Sequence, residues 1–132
     1  MSDDATASLR VLDGARAQAL ERVCDALVPG SARVGPAVYI DAVLAQMPGP
    51  VREGALAAID TLGAAAAAGD AALAAHAATP DFLMLRALAC EAFYSDFVAP
   101  GRDVAGAWDE IDFRPPTTES LRKDWSFLGI AG

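Results

Sequence analysis

Proline and glycine cut this chain into helix-length segments, and the apolar residues between the cuts recur at helical spacing. The cuts fall at Pro29-Gly30, Pro36, Pro48-Gly49-Pro50, Gly69-Asp70 and Thr79-Pro80-Asp81. Proline fixes φ and lacks an N–H, so it suits a helix's first turn and breaks its interior. Between cuts, Leu20, Val23, Cys24 and Leu27 follow the i, i+3, i+4, i+7 rule of one buried stripe. Ile40, Val43, Leu44 and Met47 repeat it. Leu56, Ile59 and Leu62 give a third stripe padded by alanine, and Phe82, Leu85, Leu88, Ala89, Ala92 and Phe93 a fourth.

These stripes predict an all-α single domain of about five helices with an extended C-terminal arm. Asp13 is placed to cap the first helix, which runs to about Val28. The second starts near Pro36 and the third at Pro50. A short fourth spans 71–76 behind Asp70 as cap, and the fifth runs from Thr79-Pro80-Asp81 to about Phe97. Residues 1–12 are expected to be a flexible N-terminus, 13–116 the helical domain with 99–116 as loop, and 117–132 the arm. No alternating run suggests a strand. At 132 residues the chain can bury a core without disulfides or metals.

Charge narrows the function. Ten basic residues stand against eighteen acidic ones, net −8. A nucleic-acid binder needs a basic face to displace counterions, so no nucleic-acid partner is expected. The stretch 61–80 is mostly alanine and contains Asp70, so no membrane insertion is expected either. The start, Met1-Ser2-Asp3-Asp4, shows neither an apolar signal segment nor a twin arginine. A cytoplasmic location is the expectation, or a periplasmic one if a twin-arginine signal was removed or lies on a partner.

Reactive residues are few. His76 is the single histidine and sits among alanines. Cys24 and Cys90 fall on or beside apolar stripes and read as small core residues, with no cation nearby in sequence to activate them. Asp103, Asp109, Glu110 and Asp112 form an acidic loop flanked by Arg102 and Arg114. Their spacing fits no EF-hand, so a solvated or arginine-paired loop is expected rather than a calcium site. No phosphate loop or dinucleotide fingerprint is present. No catalytic, cofactor-binding or metal-binding residue is therefore assigned. Trp108 lies in the loop; Trp125, Phe127, Leu128 and Ile130 lie in the arm, after the helical pattern is complete. Apolar residues gathered in a terminal arm point to a partner interface.

Three stretches resemble the gluconate 2-dehydrogenase subunit 3 family. They are Asp25-Ala26-Leu27-Val28-Pro29-Gly30; Val34-Gly35-Pro36 leading to Tyr39-Ile40-Asp41; and Glu91-Ala92-Phe93-Tyr94-Ser95-Asp96, followed at a distance by Trp108. Ala92 stands where the family usually has glycine, and Asp112 follows Ile111 where glycine is common. The resemblance implies a non-catalytic, chaperone-like small subunit. Its partner would be a large FAD-dependent oxidoreductase of the glucose-methanol-choline type, acting on a sugar or sugar-derived alcohol. FAD would belong to that partner, with no cofactor in this chain. The expected interface is Tyr94, Ser95, Asp96 and Trp108 with the arm residues Trp125, Phe127, Leu128 and Ile130. Phe93 is expected in the core, the Tyr94 hydroxyl on a partner or on the Trp108 loop, and Asp96 as acceptor at the loop start. The alternatives are a free-standing helical adaptor or homo-oligomer without a redox partner, and a small enzyme using Tyr94 or His76.

Overall fold

The computed structural model describes residues 9–115, 117 and 129. Among them the chain forms six α-helices and no strand: α1 Gly14–Leu27, α2 Pro36–Gln46, α3 Gly49–Ala68, α4 Asp70–Ala74, α5 Pro80–Tyr94 and α6 Ala107–Glu110. A 3₁₀ turn, Ser31–Val34, links α1 to α2. The all-α reading holds. The short α6 and the 3₁₀ turn lie in stretches read as loop, because each is one turn long and carries no periodic stripe.

Local chemistry explains most boundaries. The Asp13 side chain accepts from the Arg16 amide at 2.8 Å and caps α1. The Thr79 hydroxyl accepts from the Phe82 amide at 3.2 Å and caps α5, with Pro80 following. At the end of α2, Arg52 donates to three carbonyls, those of Leu44 at 2.9 Å, Ala45 at 3.1 Å and Met47 at 2.9 Å. A cation there satisfies orphan acceptors at the negative end of the helix. The expected Asp70 cap is corrected: Gly69 occupies the cap position without a side-chain bond, and Asp70 is the first helical residue. The fifth helix also stops at Tyr94 rather than near Phe97. Asp96 turns to φ 64°, which ends the run although Phe97 and Val98 would continue its apolar pattern.

The core is one cluster to which α1–α5 all contribute. Leu20, Val23 and Cys24 of α1 meet Ile40 and Leu44 of α2, Ile59 and Leu62 of α3, and Leu85, Ala89 and Phe93 of α5. α1 packs along α3, and α5 crosses α2 and α3. The α1–α3 approach is close. A Cβ built on Gly63 would lie 2.8 Å from the Ala19 Cβ, so the position requires glycine. Arg16 and Asp60 bridge the same pair outside, Nε to Oδ1 at 3.0 Å and Nη2 to Oδ2 at 2.9 Å. This paired hydrogen bond holds the Asp60 carboxyl below the usual carboxylate range and raises Arg16.

Asp41 ties down the segment that precedes α1. Its buried carboxylate accepts from the amides of Arg10 at 2.8 Å, Val11 at 2.9 Å and Leu12 at 2.9 Å. Three charge-assisted bonds offset the desolvation of the carboxylate and fasten residues 10–12 to α2. Leu12 is itself buried.

Leu44 is fully buried. Leu44→Ala should lower stability by about 2–5 kcal/mol, the range for emptying such a site. A urea melt checks this, with the midpoint falling and the slope unchanged; an unaltered midpoint would place Leu44 outside the core.

Candidate functional site

The turn after α1, the end of α5 and the Trp108 loop meet at one corner of the fold. After α1, the Asp25 carboxylate accepts from the amides of Gly30 at 3.0 Å and Ala32 at 3.2 Å. This fixes the turn behind Pro29 as a side-chain-bonded loop. The Val34 carbonyl then accepts from the Ala99 amide at 2.8 Å, joining the turn to the segment that leaves α5. Gly35 sits beneath that joint at φ 71°, and a Cβ there would lie 2.8 Å from the Ala99 Cβ. Both the left-handed backbone and the space exclude other residues. Arg102 bridges the same segments, donating to the carbonyls of Ala32 at 3.0 Å and Arg33 at 3.3 Å and to Glu21 at 3.4 Å.

Arg33 is the hub of this corner. It donates to the Gly30 carbonyl at 3.1 Å, to the Ala105 carbonyl at 3.0 Å and to the Glu110 carboxylate. Its guanidinium also lies 5.0 Å from the Phe93 ring centroid, within cation–π range. One planar, always charged side chain thus ties the 3₁₀ turn to the loop and to α6.

The far side of the corner is a clasp between the end of α5 and Trp108. Asp96 Oδ1 accepts from the Trp108 amide at 3.1 Å, and the Trp108 indole N–H donates to the Tyr94 carbonyl at 3.0 Å. The Phe113 amide donates to the Trp108 carbonyl at 2.9 Å, and the Trp108 and Phe113 rings meet edge to face at 5.1 Å. The Ser95 hydroxyl donates to the Ala92 carbonyl at 3.3 Å.

The sequence-based site residues divide accordingly. Tyr94, Ser95, Asp96 and Trp108 are brought together, and Asp96 is the acceptor expected at the loop start. Phe93 is in the core. Tyr94 differs from expectation: its carbonyl, not its hydroxyl, meets Trp108, and its side chain is 60% exposed beside the Phe93 ring. Trp125, Phe127, Leu128 and Ile130 lie outside the described residues. The acidic loop is arginine-paired. Glu110 meets Arg33, while Asp109 and Asp112 meet Arg114 at 3.1 and 3.5 Å. Arg102, expected to neutralise these acids, faces Glu21 instead. Among the described residues, no group of three or more His, Cys, Asp and Glu is placed to hold a metal ion.

Sequence reasoning missed Arg33, Asp41, Ile111 and Phe113. Asp41 had a signal: with Ala37, Ile40 and Leu44 it falls at i, i+3, i+4, i+7 on a buried stripe, where an acid demands donors. Arg33 had none, since apart from Gly30 its partners Phe93, Ala105 and Glu110 lie far along the chain. Beside the corner, Tyr39, Val43, Met47, Phe97 and Pro100 line an apolar groove of about 650 Å³. The Tyr39 hydroxyl donates to Glu91 at 2.9 Å, and its ring meets Phe97 at 5.3 Å. Cys24 and Cys90 are free thiols. Burial pushes the Cys24 thiol up to about 12, far from reactive thiolate character. His76 is half-buried in the turn after α4, and its carbonyl accepts from the Thr79 hydroxyl at 2.7 Å.

No family model, curated protein or solved structure shows a significant match to the chain.

Two outcomes are expected at the corner. Asp96 combines a left-handed backbone with an acceptor role, both of which asparagine supplies. Asp96→Asn should melt close to the wild type, while Asp96→Ala should lose about 2 kcal/mol. Equal melts would show that the clasp contributes nothing to stability. Glu21 is half-buried, and desolvation raises its carboxyl, with Arg102 opposing in part. The native state then holds a proton that the unfolded chain has released. Stability therefore falls as pH rises from the ordinary carboxylate range through the raised value, and levels off above it. Glu21→Gln should flatten that part of the profile, read from urea midpoints between about pH 4 and 7. A profile unchanged by the substitution would assign the pH response to other groups.

Proposed function

We propose that the chain is a non-catalytic small subunit. It binds and stabilises a large FAD-dependent oxidoreductase of the glucose-methanol-choline type that acts on a sugar or sugar-derived alcohol. The observation that carries this reading is the corner itself. The stretches that resemble the family are far apart in sequence, yet Arg33 joins Gly30 and the Phe93 ring to the segment 105–110, and Asp96 joins the end of α5 to Trp108. Asp25, Asp41, Ser95 and Asp96 of those stretches bond to backbone amides and carbonyls within the domain, and Tyr39 bonds to Glu91. Residues that build a shape, beside an exposed Tyr94, suit a docking module better than a reacting centre. FAD belongs to the partner in this reading.

The test is co-expression with a flavoprotein of that type from the same genome. With the small subunit present, the flavoprotein should be soluble, loaded with flavin and recovered as a complex. Without it, the flavoprotein should be largely insoluble, its docking surface left uncovered. The chain alone should be colourless and oxidise no sugar. Flavin bound by the isolated chain, or a flavoprotein equally soluble and active without it, would overturn the reading.

A further inference from the structure

The outer face of the corner has a composition that selects its partner. Tyr94, Ile111 and Phe113 are 60%, 73% and 43% exposed. Trp108 joins the first and last of these, bonding the Tyr94 carbonyl and meeting the Phe113 ring edge to face, and Ile111 lies in the turn that the Phe113 amide closes onto the Trp108 carbonyl. Three of the six large apolar side chains left exposed among the described residues thus gather at one clasp. A preformed apolar patch loses little conformational freedom on binding, and aromatic anchors supply most of the energy in such contacts.

Carboxylates surround these anchors. Glu91 lies one helical turn before Tyr94 on the same face of α5 and is exposed. Asp109, Glu110 and Asp112 flank Ile111. Arg33 meets Glu110, and the single Arg114 serves both Asp109 and Asp112, so the rim keeps an excess of negative charge. The Asp112 side chain is 92% exposed. The chain as a whole adds to this field with its net charge of −8. A partner with an acidic or neutral rim would meet repulsion or leave these carboxylates unpaired, whereas arginine or lysine would neutralise them.

From this we infer that Tyr94, Ile111 and Phe113 form the apolar centre of a docking face whose acidic rim pairs with an arginine- or lysine-rimmed apolar surface on the large subunit. The inference rests on the small-subunit reading and adds to it the location and the chemistry of the contact. The apolar centre gives affinity; the rim gives rate of encounter and register.

The experiment uses the full chain and the flavoprotein of the co-expression test, with association followed by biolayer interferometry over a salt series. The wild-type complex should form more slowly as salt rises. Ile111→Arg places a cation in the patch and should weaken binding by about tenfold or more. Asp112→Asn, which tolerates the left-handed turn and removes one rim charge, should slow association about twofold and reduce its salt dependence, while dissociation changes less. Both positions are exposed, so the variants should keep the wild-type circular-dichroism melt; Ile111→Ser serves if Ile111→Arg does not. Wild-type chain that binds the flavoprotein, with both variants binding equally well, overturns this docking face and leaves the small-subunit reading standing. Wild-type chain that fails to bind it overturns that reading and this one together. If Ile111→Arg instead dissolves a homodimer of the free chain without affecting flavoprotein binding, a second copy covers the patch and the inference is wrong.

Discussion

The structure depends on how closely α1 and α3 approach. Gly63 faces Ala19 with no room for a further carbon, and Arg16 and Asp60 bridge the pair from outside. An alanine-rich chain buries little area per residue, so it must bring backbones together to gain dispersion and exclude water. The close pair then carries Leu20, Val23, Ile59 and Leu62 into one core with Leu85 and Phe93 of α5. α5 is seated by that core, and the position of its C-terminal end sets where the clasp can form.

At the clasp the logic changes from apolar packing to hydrogen bonding of backbone. The chain leaves α5 through Asp96, runs to α6 and returns at Phe113, with its amides and carbonyls near water. Asp25, Arg33, Asp96 and Arg102 satisfy those groups at chosen points and so give the loop one conformation. Asp41 applies the same device to the N-terminal segment from within the core. In each case a charged side chain faces backbone rather than an opposite charge alone, which makes the bond strong and directional.

Helix starts were legible because proline, glycine and caps act locally. Asp13, Pro36, Thr79 and Pro80 each act on the residues within a turn of themselves. The end of α5 was not. Phe97 and Val98 extend its apolar pattern, and only the bond from Asp96 to an amide twelve residues on turns the backbone aside. Arg33 was silent for the same reason: its partners are set by the return of a distant loop. The motif residues Tyr94, Ser95, Asp96 and Trp108 were legible as a group, but their individual tasks were not. The Tyr94 carbonyl holds the clasp, and the side chain is left to solvent.

At the corner, Asp25, Ser95 and Asp96 face inward to backbone amides and carbonyls. Residues that bond inward set a shape and cannot also set specificity for an outside surface. Specificity must then come from neighbours that the corner presents outward, which are Tyr94, Ile111 and Phe113 with the carboxylates beside them. The outward carboxylates include Asp112, which follows Ile111. Asp112 holds φ 52° without being glycine, a backbone state that aspartate tolerates better than most residues. Asp112 thus makes a turn that glycine would also make and adds a carboxylate to the rim. In the docking proposal, the inward-bonded residues set the shape of the corner, and the outward carboxylates set which partner surface it fits.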